Sequence, residues 1–155
     1  ACRANKKMLQ TTRQMIFQDS ASSLDPHMTV CDSITEPMRI HRIAPPRGTY
    51  RKEAELQMYY VGLDKTYLDK YPSELSGGQR QRVAIARAIV TKPVCILADE
   101  PTGNLDKATA QGVFDIFLKL ARDEGTAIVI VTHDEGLAAR CDRILRLDAG
   151  VIREA

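Results

Sequence analysis

The sequence predicts an α/β fold, a mostly parallel sheet with a helical stretch inserted into it. Two runs carry the sheet: VCILAD (94–99) and AIVIVTHD (127–134). Both are continuously apolar, rich in β-branched residues, and end in acid. Such runs suit strands buried on both faces of a parallel sheet. A third observation joins them. Val113, Ile116, Phe117 and Leu120 fall at i, i+3, i+4 and i+7, one face of an amphipathic helix. Strand, helix, strand is a βαβ unit, with a right-handed crossover as the rule.

The remaining elements follow along the chain. RQMIFQ (13–18) reads as a further strand of the sheet. Residues 28–91 are mostly helical, with a loop at APPRG (44–48), where two prolines and a glycine stop regular structure. Tyr71-Pro72-Ser73 is a second break. Asp106 is placed to cap the central helix and Gly125 to end it. RILRLDAGVIRE (143–154) reads as two short strands around Asp148-Ala149-Gly150. The expected organisation is therefore a strand and loop over 1–27, a helical subdomain over 28–91, and the α/β part over 92–155.

Composition narrows the function classes. At 155 residues the chain suits one domain with a real core. The formal net charge of +2 makes no case for nucleic acid. The four cysteines are scattered, with no C-x-x-C pair. That speaks for a reducing compartment and against a disulfide scaffold or zinc site. No apolar stretch nears the ~20 residues of a membrane helix. The basic, polar opening ACRANKKMLQTTRQ has no signal-peptide core. Because the chain opens without Met, a fragment is expected.

Four short strings can do chemistry. In LSGGQRQRVAIARAIV (75–90), Ser76 can cap a helix, and Gly77 and Gly78 let backbone N–H groups approach a ligand closely. Four unpaired N–H groups and the positive end of the helix dipole then face whatever binds, which favours an anion. SGG alone also starts ordinary helices. In CILADEPTGNLD (95–106), Asp99 and Glu100 stand at the carboxyl end of a strand, where open α/β sheets bind ligands. Asp99 suits Mg²⁺. Glu100 can take a proton from an attacking water. His133 ends the next run and lies beside both acids if the strands are neighbours. Gln18 follows MIF, and its carbonyl can meet Mg²⁺.

Together these strings resemble the ATPase subunit of ATP-binding cassette (ABC) transporters. LSGGQRQRVAIARA is similar to the family's signature motif, VCILADE to Walker B, and GNLD (103–106) to the D-loop. IVIVTHD is similar to the strand and switch histidine, and FQD (17–19) to the Q-loop. The resemblance implies a P-loop NTPase type of sheet, with ATP and Mg²⁺ as cofactors of the complete domain. It implies Glu100 as catalytic base, Asp99 as Mg²⁺ partner and His133 as contact to the terminal phosphate. Gln18 would report nucleotide state to a transmembrane permease subunit. Ser76, Gly77, Gly78 and Gln79 would touch ATP held by a second ATPase subunit in a head-to-tail dimer, and Asn104, Leu105 and Asp106 would cross that interface. The implied place is cytoplasmic, peripheral on the inner face of the cell membrane.

Subfamily signals conflict. The run 17–41 is similar to peptide/nickel importers, whereas LADEPTGNLD is more like lipoprotein or macrolide export ATPases. The sequence reading leans to the importer type. A P-loop, G-x-x-x-x-G-K-[ST], is not found in the 155 residues. The nearest decoy, GLDKT (62–66), has Asp64 ahead of Lys65. An N-terminally incomplete cassette, inactive alone, is therefore expected. Two alternatives stay open: a non-catalytic interaction module, and an ATPase of a non-transport relative.

Overall fold

A computed structural model describes residues 12–17 and 24–154. Three strands form a parallel sheet in the order β1-β2-β3. They are β1 (Arg13–Ile16), β2 (Cys95–Asp99) and β3 (Ala127–Val131). The register aligns Met15 with Leu97 and Leu97 with Val129. The predicted strands are thus present and neighbouring, β1 and β3 stopping short of the end of their runs and β2 starting one residue into its own.

Between β1 and β2 come α1 (Val30–Ile40), α2 (Tyr50–Tyr60) and α3 (Gly77–Ile89), with single 3₁₀ turns at Lys65–Asp69 and Pro72–Glu74. Thr29 caps α1 and Thr49 caps α2, each accepting a backbone N–H three residues on. The decoy GLDKT runs into the first 3₁₀ turn, with Asp64 as its cap. Val30, Ile34, Met38, Ala54, Met58, Leu68 and Val83 bury one another almost completely. Pro93 and Val94 then lead into β2.

The helix α4 (Lys107–Glu124) crosses from β2 to β3. Asp106 caps it, and Gly125 ends it in the left-handed conformation that spares glycine any Cβ clash. Val113, Ile116, Phe117 and Leu120 are all buried, as their period requires. A one-turn helix α5 (Glu135–Ala138) follows, then the antiparallel hairpin β4 (Leu145–Asp148) and β5 (Val151–Glu154). Its two-residue turn has positive φ at both Ala149 and Gly150, the mirror-image geometry that matches strand twist.

One expectation is corrected. The apolar runs are not buried on both faces among the described residues. α3 lies against β1 and α4 against β3, and Ile16, Ile96 and Ala98 point into that layer. The opposite row, Met15, Leu97 and Val129, is 50%, 41% and 52% exposed. No described element covers it, so strand residues alternate between buried and open although the sequence is apolar at each.

Candidate nucleotide site

The first part of the site forms where β2 and β3 end together. Asp99 pairs in register with Val131, so the residues that follow leave the sheet side by side. Glu100 donates its backbone N–H to the Val131 carbonyl at 2.9 Å. It does so with φ at +43°, a conformation that costs a glutamate on the order of 1–3 kcal/mol. The side chain is then held firmly. Glu100 Oε1 accepts the His133 backbone N–H at 3.0 Å and meets the ring Nδ1 at 2.7 Å. The hydrogen bond to Glu100, then its charge, raises the His133 pKa above the ordinary imidazole value. Glu100 is mostly covered (18% exposed) while His133 stands out at 82%. Glu100 Oε2 is buried and, among the described residues, has no hydrogen-bond partner. Leaving such an acceptor unpaired costs about 1–3 kcal/mol. Asp99 ends β2 on the exposed side.

The second part is the start of α3. Ser76 and Gln79 form a reciprocal capping box: Gln79 N–H donates to Ser76 Oγ at 3.2 Å, and Ser76 N–H to Gln79 Oε1 at 2.9 Å. Two of the four orphan donors are therefore satisfied within the chain. Among the described residues the Gly77 and Gly78 N–H groups meet no acceptor, so this helix start offers two free donors rather than four. Ser76 and Gln79 side chains are engaged in the cap.

The third part is the loop between β2 and α4. Gly103 N–H donates to the Glu100 carbonyl at 3.1 Å, and Leu105 N–H to that of Thr102 at 3.1 Å. Asn104 is exposed at its tip. Asp106 accepts from Thr109 twice, from the backbone N–H at 3.0 Å and the hydroxyl at 2.6 Å. The hydroxyl, then the N–H, holds the Asp106 carboxyl below its ordinary pKa.

The structure thus brings Glu100 to His133, and the glycine end of α3 to this loop, where a Cβ on Gly77 would lie 3.7 Å from Leu105 Cδ2. Gln18 lies outside the described residues. Sequence reasoning missed Thr109, although Asp-x-x-Thr is a recognisable cap spacing, and it missed Arg82. Among the described residues no three His, Cys, Asp or Glu cluster as a metal cage. Magnesium needs none, since it commonly takes one or two carboxylates with phosphates and water. Asp99, a carboxylate exposed at the end of β2, fits that donor chemistry.

A sequence model of the family described as ABC transporter matches residues 2–103. The chain belongs to the ABC transporter family. Relatives named lipoprotein-releasing system ATP-binding protein LolD are 49% identical over 125 residues in Hydrogenovibrio crunogenus and 48% over 147 in Pseudomonas syringae pv. tomato. These alignments cover 81% and 95% of this chain, but 53% and 63% of the relatives. The chain thus spans little more than half the length of the relatives it matches. Among solved structures, the ATP-binding cassette MJ0796, a dimer in a post-hydrolysis state bound to ADP and Pi, superposes with a TM-score of 0.84 at 33% identity. That match covers 100% of this chain and 67% of the other. CbiO1 from Clostridium perfringens, part of an ABC transporter complex, gives 0.85 at 26% identity, over 97% of this chain and 59% of the other. The α/β fold with a parallel sheet is therefore that of an ABC ATPase cassette. The lean to a peptide/nickel importer finds no support in these relatives, which carry the lipoprotein-releasing name. The resemblance read in LADEPTGNLD agrees with the names of these relatives, and that read in the run 17–41 does not.

Proposed function

We propose that this chain is part of the ATP-binding subunit of a lipoprotein-release type of ABC transporter, working peripherally at the cytoplasmic face with transmembrane permease subunits. The observation that carries the hydrolytic reading is the Glu100 carboxyl, one oxygen fixed by His133 and the other buried without a partner. A base needs such an oxygen, oriented and unspent. In this reading Glu100 Oε2 takes the proton of an attacking water. His133 fixes Oε1 and presents its exposed ring towards the terminal phosphate. Asp99, with Gln18, would hold Mg²⁺, which when bound neutralises charge on the phosphates. The Gly77 and Gly78 N–H groups, at the positive end of α3, bind an oxyanion. That nucleotide is held by the opposite subunit of a head-to-tail dimer, with Asn104 and Asp106 at the same interface. Among the described residues no helix is long and apolar enough to cross a membrane.

The identity to LolD proteins supports the lipoprotein class of cargo. The three segments 1–27, 28–91 and 92–155 act in this reading as Q-loop strand, helical subdomain and catalytic core. Without a P-loop sequence in the 155 residues, the purified chain should release no phosphate from MgATP above background. Robust release, abolished by Glu100→Gln, would overturn the fragment reading. Expressed from its whole reading frame with its membrane subunits, the protein should hydrolyse MgATP and lose that activity in Glu100→Gln. Undiminished turnover there would sink Glu100 as the base.

A further inference from the structure

The helices α3 and α4 meet along a seam of small residues set against large ones. A Cβ built on Gly78 would stand 2.4 Å from Thr109 Cγ2, far inside the 3.5–4.0 Å of a carbon contact. One turn further along α3 the roles reverse. The Arg82 guanidinium enters between Gly62 and Gly112, where a Cβ on either would stand 3.1 Å from one of its nitrogens. Arg82 Nη1 also donates to the Val61 carbonyl at 3.1 Å. Positions 78 and 82 share one face of α3, and 109 and 112 share one face of α4. The seam is thus keyed in both directions and ties the helical part to the α/β part.

Thr109 has no freedom to yield. Its hydroxyl is bonded to Asp106 Oδ2 at 2.6 Å and its N–H to Oδ1 at 3.0 Å. Turning the methyl away would break the hydroxyl bond, because both branches rotate together about χ1. We propose that Thr109 is a positioning residue. Held by Asp106, its methyl seats Gly78 and so locks the oxyanion-binding end of α3 to the 103–106 loop of the same chain. Gly78 then answers two demands, close approach of a ligand and close approach of Thr109. What that helix end does rests on the function proposed above, but the seam itself does not.

The test compares the chain with Gly78→Ala, Thr109→Ser and both. Serine keeps the hydroxyl and deletes the methyl. Gly78→Ala should lower the thermal midpoint by about 5 °C, and Thr109→Ser by less than about 2 °C. The double variant should recover most of the loss. In ¹H–¹⁵N spectra, Thr109→Ser should shift the Gly77 and Gly78 amides while distant resonances stay in place. A double variant no more stable than Gly78→Ala, or glycine amides unmoved by Thr109→Ser, would overturn the proposal. If Gly78→Ala does not fold, folding of the double variant supports the seam, and its failure refutes it. Failure of the function shows instead as absent MgATP turnover in the whole protein, with these midpoints and shifts unaffected.

Discussion

The helical stretch and the sheet use similar apolar sequence to opposite ends. In residues 28–91, Val30, Ile34, Met38, Ala54, Met58, Val61 and Leu68 exclude water almost entirely. Three helices and a 3₁₀ turn suffice to enclose them. In the sheet, Ile96 and Ala98 are closed off, while their neighbours Leu97, Val129 and Val131 face outward. The hairpin goes further, with every residue of β4 and β5 exposed. Burial is therefore a property of what covers an element. An apolar run states a need for cover, and the described structure meets it on one side.

The contrast can be broken most forcefully in the closed region. Met58→Ala or Ile34→Ala should destabilise the chain by about 2–5 kcal/mol in denaturant unfolding. Val129→Ala on the open face should cost no more than about 0.5 kcal/mol. Equal losses at the two places would mean that the open row is covered in solution. The second effect is on association. An exposed row of Met15, Leu97 and Val129 should draw copies together at micromolar concentration, and Val129→Lys should reduce that. Light scattering from a clean wild-type monomer would contradict it. A smaller effect tests whether local caps matter where the core is already closed: Thr29→Ala should lose about 1 kcal/mol.

The smallest effect lies at the site. The raised His133 pKa means that the imidazolium–carboxylate pair contributes fully below the ordinary value of 6.5. Its contribution is lost as pH rises through the higher folded-state value. An NMR titration should place His133 above 6.5 in the wild type and return it towards 6.5 in Glu100→Gln. An unchanged midpoint in the variant would remove Glu100 as the cause.

Much of this was legible in advance because it is local. Ser76, Asp106 and Gly125 announced helix ends by chemistry that acts within a few residues. The period of Val113, Ile116, Phe117 and Leu120 named the buried face of α4 correctly. His133 was placed beside Glu100 by the equal position of both at strand ends. What stayed hidden depends on elements distant in sequence. No pattern in VCILAD says which face lacks cover. The capping box uses up donors that a string of letters leaves open, and the Gly78–Thr109 contact appears only once two helices cross. The left-handed backbone of Glu100 is equally silent, because glutamate is not a residue that advertises positive φ.

The bond between Glu100 and His133 has a consequence for symmetry. A free carboxylate has two equivalent oxygens and exchanges them by a half-turn. Here ring and main chain of one histidine both hold the oxygen at one position, so a half-turn must break two hydrogen bonds before the other oxygen can re-form them. The two oxygen positions are made inequivalent by the protein before any ligand arrives. Whatever comes to that carboxyl meets a group with a fixed front and back.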